Sequence, residues 1–305
     1  MRIAYLVQNH RCPRQAARLL AALRRGGDPR ILVVHDEFAG ECSARELARV
    51  LDVEVLPARR PVRRGYLSML DPFFDGVAHL ADHPPGYDWL VYLSAQDYPV
   101  RPLAELERML EATPFDGFLR FWPAFDPRNP WRRPKQGVRR YLFQYRDAPR
   151  WTLPLLHLLR PLNGAQGLVH FHLVYGPRVG LRGLRPPFHA AFHCWAGLQW
   201  TVLRRAAAEA ARANLEANPK VAAWFARTVC PDEALVQTLL VNSGRFQLCD
   251  DDLRYERFAG SRDGHPHLLT RADLPEILAS GKHFARKFDL DHDERILDAI
   301  DERLA

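Results

Sequence analysis

Cysteine is scarce and poorly arranged for crosslinking. The five residues Cys12, Cys42, Cys194, Cys230 and Cys249 are odd in number and contain no Cys-x-x-Cys pair, which excludes a disulfide framework and a structural zinc cluster. Lysine is scarcer still, with only Lys135, Lys220, Lys282 and Lys287 among 43 Lys+Arg residues. The net charge of +7 is therefore carried by arginines, and these are interspersed with 36 acidic residues rather than gathered in one basic segment, so a nucleic-acid partner is not expected. No apolar run approaches the ~18 residues of a membrane span. The apolar start, Met-Arg-Ile-Ala-Tyr-Leu-Val, turns polar at Gln8-Asn9-His10, too soon for a secretory signal, so a cytoplasmic protein is expected. Internal repeats and low-complexity linkers are absent as well. What is present is a 305-residue chain with 47% hydrophobic residues, enough apolar surface to exclude disorder.

The pattern along the chain is α/β. Residues 2–8 read as a strand buried on both faces, Pro13 opens a helix that Gly26-Gly27 stops, and residues 30–36 form a second buried strand. Strand, helix and strand in this order predict a parallel sheet with a crossover helix. Strands at 53–57, 89–94 and 116–122 and helices at 66–82 and 102–112 continue it. From 123 to about 190, Pro, Arg and aromatics dominate, and this stretch reads as long loops. Regularity returns at 200–203 with an Ala-rich helix before Pro219. A helix follows from Pro231, then a strand near 245–249, and Thr270-Arg-Ala-Asp273 reads as a capping box opening a helix that Gly281 closes.

Four groups of residues could carry chemistry. Polar residues follow three buried strands: Gln8-Asn9-His10, His35-Asp36, and Ser94-Ala-Gln-Asp97. The carboxyl ends of strands are where open α/β sheets bind ligands, although a lone Asp there can equally cap a turn. In Cys230-Pro-Asp-Glu233, Pro231 suits the first turn of a helix, which would put Glu233 in the positive field of its amino end; first-turn acids also occur for helix stability alone. Lys282-His-Phe-Ala-Arg286-Lys287 offers cations interrupted by packed aromatics, suited to a diphosphate. His189 and His193 have zinc-ligand spacing if helical, but Pro186-Pro187 precedes them and no His-Glu-x-x-His motif is present. His170/His172, His265/His267, Asp250–Asp252 and Asp289/Asp291 carry weaker patterns.

Taken in order, the strand ending at His35-Asp36, Tyr92-Leu-Ser-Ala-Gln-Asp97-Tyr-Pro-Val100, Cys230-Pro-Asp-Glu233 and His283-Phe-Ala-Arg-Lys-Phe-Asp289 resemble the core-2/I-branching β-1,6-N-acetylglucosaminyltransferases and peptide O-xylosyltransferases, family 14 of the glycosyltransferases. Trp195-Ala-Gly197 and Leu253-Arg254-Tyr255-Glu-Arg-Phe258 are similar to further segments of that family, and the likeness spans about residues 3–290. It implies a GT-A-like, Rossmann-type nucleotide-sugar fold with a mostly parallel central sheet flanked by helices. The chain would form one domain, with a nucleotide-binding half at 1–122 and a loop-rich, acceptor-binding and catalytic half at 123–305. The implied activity is inverting transfer from a UDP-sugar, N-acetylglucosamine first, without a metal ion or other cofactor. The acceptor would be a glycan, a lipid-linked sugar or a peptide, with peripheral contact at the inner membrane face if it is lipid-linked.

Carried over, Glu233 is the base. Lys287, helped by Arg286, meets the diphosphate, while Gln8, His10, His35, Asp36 and Asp97 border the nucleotide-sugar. Trp195, Gly197, Arg254, Tyr255 and Phe258 border the substrate. Two positions depart from the family: Gly264-His265, where a second cation is replaced by His265 or Arg262, and Arg64-Gly65-Tyr66 in place of Trp-Gly-Gly. Two readings from other classes remain open: a zinc-dependent hydrolase on His189 and His193, and a non-catalytic basic-aromatic module for membranes or nucleic acid on 131–135 and 151–158.

Overall fold

A computed structural model of the chain describes all residues except Cys12, 132–134, Gln166, 260–265 and Ala305. The sequence-predicted strands form a seven-stranded sheet. Strands β1 (Ile3–Asn9), β2 (Arg30–His35), β3 (Glu54–Pro57) and β4 (Trp89–Ser94) make its parallel half, followed in the chain by β5 (Asp97–Pro99) and β6 (Gly117–Pro123). Later come β7 (Phe143–Asp147), β8 (Val169–His172), β9 (Arg178–Arg182), β10 (Trp195–Arg204), β11 (Leu248–Cys249), β12 (Arg254–Glu256) and β13 (Phe284–Arg286). The large sheet has the order β11-β6-β10-β4-β1-β2-β3. Only β10 runs against its neighbours, between β4 and β6.

The period-2 geometry of a strand explains the continuous apolar runs. In β1, Ile3, Tyr5 and Val7 join one buried core with Leu19 and Leu23 of the helix Pro13–Arg24, whereas Ala4 and Leu6 join the opposite core with Phe73 and Val77 of the helix Asp71–Asp82. The strands β2 and β4 split the same way: Val33 and Val91 go to one core, Val34 and Tyr92 to the other. The result is a mostly parallel sheet between two helical layers, as the strand–helix alternation predicts.

Two smaller sheets complete the fold. In one, with order β12-β13-β5, the short turn after β4 returns as β5 and pairs with the chain's late segments. In the other, with order β7-β9-β8, all pairings are antiparallel. This second sheet, with the helices Gln136–Tyr141, Leu153–Leu159 and Leu162–Ala165, corrects the expectation of long loops from 123 to about 190. Its strands of four or five residues mix Arg, His and aromatics, so period 2 does not emerge from their polarity.

The capping box at Thr270 and Asp273 forms, with Thr270 N–H donating to Asp273 Oδ2 at 2.8 Å. At Pro231 the expectation fails. Pro231–Glu233 is a single 3-10 turn, and the α-helix Leu235–Val241 starts only after Ala234. Glu233 therefore precedes the helix instead of occupying its first turn.

Candidate active site

The register pairs Asn9 with His35 and Gln8 with Ser94, so the three polar strand ends lie side by side. Most of them are occupied internally. The His35 ring is buried between Asn9 Nδ2, 3.1 Å from Nδ1, and the Cys42 carbonyl, 2.9 Å from Nε2. Asp36 accepts from the backbone N–H groups of Phe38 at 3.1 Å and Val62 at 3.0 Å, so it caps a turn and ties two loops together. Gln8 Oε1 accepts from Tyr92 Oη at 2.7 Å and from Gln199 Nε2 at 2.9 Å, joining β1, β4 and β10. His10 opens to solvent at the end of β1. Partial loss of water around its ring, then the charges of Arg11 and Lys287, push its imidazole below the ordinary histidine pKa, against Glu41 and Asp36.

Asp97 is a fully buried hub. It sits opposite Arg286, which sits opposite Glu256, in one row of the β5-β13-β12 sheet. Asp97 accepts from Ser94 N at 2.8 Å and lies 3.1 Å from Arg254 Nε and 3.6 Å from Arg286 Nε. Arg286 also pairs with Glu256 Oε1 at 3.1 Å and stacks over Trp200 at 4.4 Å. Burial pushes the Glu256 carboxyl up to about 7, against the pull of Arg286. The side chains of Asp97 and Arg254 are wholly enclosed. This corrects the expectation that Asp97 borders the nucleotide-sugar and that Arg254 borders the substrate: buried guanidiniums need buried counter-charges, and these two residues supply each other.

Lys287, next in the chain, differs from them. It is half-buried, and its ammonium has no hydrogen-bond or ion-pair partner among the described residues. Loss of water, then Arg286, Arg11 and Arg64, lower its pKa, with only Asp289 opposing. A desolvated cation ringed by cations is a position that an anion would relieve. Lys282 does not share in this, since it pairs with Asp251 at 2.6 Å.

The Glu233 turn is built by the neighbouring loops. Gly65 has φ +78°, and a Cβ there would meet the Tyr175 ring at 2.4 Å, so only glycine fits. Its carbonyl accepts from Cys230 N at 3.2 Å and from Arg178 Nη1 at 3.3 Å. Cys230 itself is left-handed at φ 52°, and its carbonyl accepts from Tyr141 Oη at 3.1 Å. Such a conformation persists in a non-glycine residue only where its surroundings over-determine it. Arg140 donates through Nη1 to Glu233 Oε2, and the Glu233 side chain is 24% exposed. Glu233 Oε1 has no partner among the described residues. The neighbouring Asp232 is buried with Oδ1 unpartnered; burial, then the Glu233 charge, raises its carboxyl to about 7, against Arg140 and Arg64.

Electrostatic reach joins this turn to the cations. Arg64 acts on both Lys287 and Asp232, and Tyr92 feels both Asp232 and Arg286. Arg64 thus links the turn of Asp232 and Glu233 electrostatically to the segment that carries Lys287. Arg64, Arg140 and Asp232 were not singled out from the sequence. Arg64 lies in the Arg64-Gly65-Tyr66 departure, which was the one available signal, whereas Arg140 lies in the aromatic-rich stretch that carried none.

The remaining candidates fall elsewhere. A Cβ on Gly197 would lie 1.8 Å from the Arg120 carbonyl oxygen; this glycine permits close β6–β10 pairing and is buried, so it does not border a substrate. Trp195 packs edge-on against Phe121 at 5.8 Å. Tyr255 donates to Glu276 Oε2 at 2.7 Å, and Phe258 is half-buried. His265 lies outside the described residues. His189 and His193 flank a tight turn in which His189 and Phe192 exchange backbone hydrogen bonds of 2.9 and 3.0 Å, so the helical face a zinc pair would need does not form. Among the described residues no group of three His, Cys, Asp or Glu is placed to hold a metal ion, and no helix is long and apolar enough to cross a membrane.

The family model of the core-2/I-branching enzymes matches residues 3–278. The chain belongs to that family of glycosyltransferases. No curated protein matches. Among solved structures, the chain is similar to glucosyl-3-phosphoglycerate synthase from Mycobacterium tuberculosis in complex with Mn2+, UDP and glucosyl-3-phosphoglycerate, at 14% identity and a TM-score of 0.31, over 68% of this chain and 57% of that one. It is also similar to a nucleotidyl transferase from Methanothermobacter thermautotroptrophicus, at 17% identity and a TM-score of 0.27, over 39% of this chain and 62% of that one. The chain thus covers less than two thirds of the length of each.

Proposed function

We propose that the chain is an inverting transferase that moves a sugar, N-acetylglucosamine first, from a UDP-sugar to a hydroxyl of a glycan or other acceptor. The observation that carries this reading is Lys287, half-buried, without an ion-pair partner among the described residues and within electrostatic reach of Arg286, Arg11 and Arg64. A nucleoside diphosphate is the anion that this cation fits. As the bond from the anomeric carbon to the diphosphate breaks, Lys287 meets the charge on the leaving oxygen. The acceptor oxygen bonds to the opposite face of that carbon, and its proton passes to Glu233 Oε1 while Arg140 holds Oε2. General-base help of this kind supplies roughly 10²–10⁴-fold in rate.

The diphosphate is neutralised by side chains rather than by a metal ion. Asp97, the carboxylate after β4 that could have faced a cation, has both oxygens turned to Arg254 and Arg286.

A thermal-shift screen with UDP and UDP-sugars, with and without EDTA, tests the proposal, because a ligand that binds only the native state raises its stability. UDP should stabilise the chain equally with and without chelator. No shift with any uridine nucleotide would refute the donor, and a shift abolished by EDTA and restored by Mn2+ would refute the cation clamp.

A further inference from the structure

Among the described residues, the exposed apolar surface is concentrated in one region. Eight of the thirteen exposed large hydrophobic side chains among the described residues lie between positions 151 and 184. Trp151, Leu155, Leu158 and Leu162 recur at helical spacing and are 79%, 53%, 76% and 45% exposed, while Leu156, facing the other way, is buried. The neighbouring β8–β9 hairpin adds Leu168, Leu181 and Leu184 at 70%, 60% and 95%. The two parts are joined: the Asn163 side chain bonds both the N–H and the carbonyl of Phe171, at 2.8 and 3.0 Å. In β9, Leu181 pairs with Val169.

Along this stretch of chain the charge has one sign, and Asp147 at its edge is paired with Arg63 and Arg178. Between Asp147 and Glu209 the chain has no acidic residue. Arg146, Arg150, Arg160, Arg182 and Arg185 are exposed, and none of them is in an ion pair among the described residues. Contiguous exposed leucines rimmed by arginines do not suit a surface that meets only water. A second copy of the chain is a poor occupant, because a two-fold contact would set this patch against itself and bring arginine to arginine. Nucleic acid would use the arginines but not the leucines.

We propose that the face formed by residues 150–162 and the β8–β9 hairpin docks on an anionic lipid bilayer, with Trp151, Leu155 and Leu158 entering the acyl boundary and the arginines meeting the headgroups. Docking is independent of the donor chemistry, so it stands or falls separately from the transferase reading.

Sedimentation of the full chain with vesicles of phosphatidylcholine, alone or mixed with phosphatidylglycerol, tests it. Partitioning should be about tenfold or more stronger on the mixed vesicles, and L155E/L158E should lose about tenfold or more of it. The melting temperature of that variant without ligand should match wild type, as expected for exposed side chains, which separates loss of docking from loss of folding. Equal partitioning of wild type and variant, or no partitioning at all, would overturn the proposal. So would a wild-type dimer in sedimentation velocity that the variant dissolves, which would assign the face to a second copy.

Discussion

Arg140 donates to Glu233 across 93 positions of sequence, linking the helix Gln136–Tyr141 to the turn Pro231–Glu233. The pair is about one-fifth exposed on either side, 16% and 24%, so Arg140 orients one carboxylate oxygen and leaves the other open. If Glu233 is the base, removing its charge should cost rate and little else. Glu233→Gln is expected to lower kcat by about 10²–10⁴-fold with the UDP thermal shift intact. Arg140→Ala should also lower kcat, by a smaller factor, through loss of orientation. Near-wild-type turnover in Glu233→Gln would remove the residue from the mechanism.

Lys287 makes the complementary prediction. Among the described residues its ammonium is in no ion pair, and Asp289 alone of the charges acting on it opposes the cations, so its substitution should break no ion pair there. Lys287→Ala should leave the melting temperature of the free protein unchanged or raise it slightly, by removing repulsion from Arg11, Arg64 and Arg286. UDP affinity should fall about tenfold, or ~1.4 kcal/mol, measurable by calorimetry. Unaltered affinity would mean that the diphosphate lies elsewhere.

How much of this could be read in advance depended on element length. The runs at 2–8, 30–36 and 89–94 are long enough for burial on both faces to write itself into composition, and β1, β2 and β4 followed. The capping box at Thr270 is a four-residue signal and formed as expected. By contrast, β5, β12 and β13 span three residues each, too few for any periodicity. The row Asp97–Arg286–Glu256 that they create was therefore invisible, and Asp97 and Arg254 were expected at a ligand when they face each other. Glu233 and Lys287 were singled out through motif order, whereas Arg140 reaches Glu233, and Arg64 acts on Lys287, only through the tertiary fold.

Asp97 tests that row. It is the shared counter-charge of two guanidiniums, Arg254 wholly buried and Arg286 nearly so. Removing one partner of a buried pair leaves the other charge uncompensated, at a cost of about 3–5 kcal/mol. Asp97→Asn should therefore lower the unfolding free energy measured in urea by that amount, and the midpoint with it, far more than Asp36→Asn, whose carboxylate meets backbone N–H groups. Similar midpoints for the two variants would show that the row is not a stabilising hub.

Asp232 gives the pH dependence. Burial and the Glu233 charge raise its carboxyl to about 7 from the ordinary 3.8. Between those values the folded protein holds a proton that the unfolded chain has released, so stability falls as pH rises and levels off above about 7. Glu256, raised to about 7 from 4.5, contributes a slope of the same sign. Asparagine at position 232 is neutral throughout and carries no such penalty. Melting temperatures of Asp232→Asn should therefore gain on wild type steadily from pH 4.5 to 7.5, over whatever slope both proteins share from Glu256 and Asp252 in one direction and His170 and His172 in the other. The advantage should stay constant above about 7.5, since neither form then exchanges a proton on folding at that site. Parallel curves over the whole range would mean that Asp232 titrates normally and that its unpartnered oxygen is reached by water.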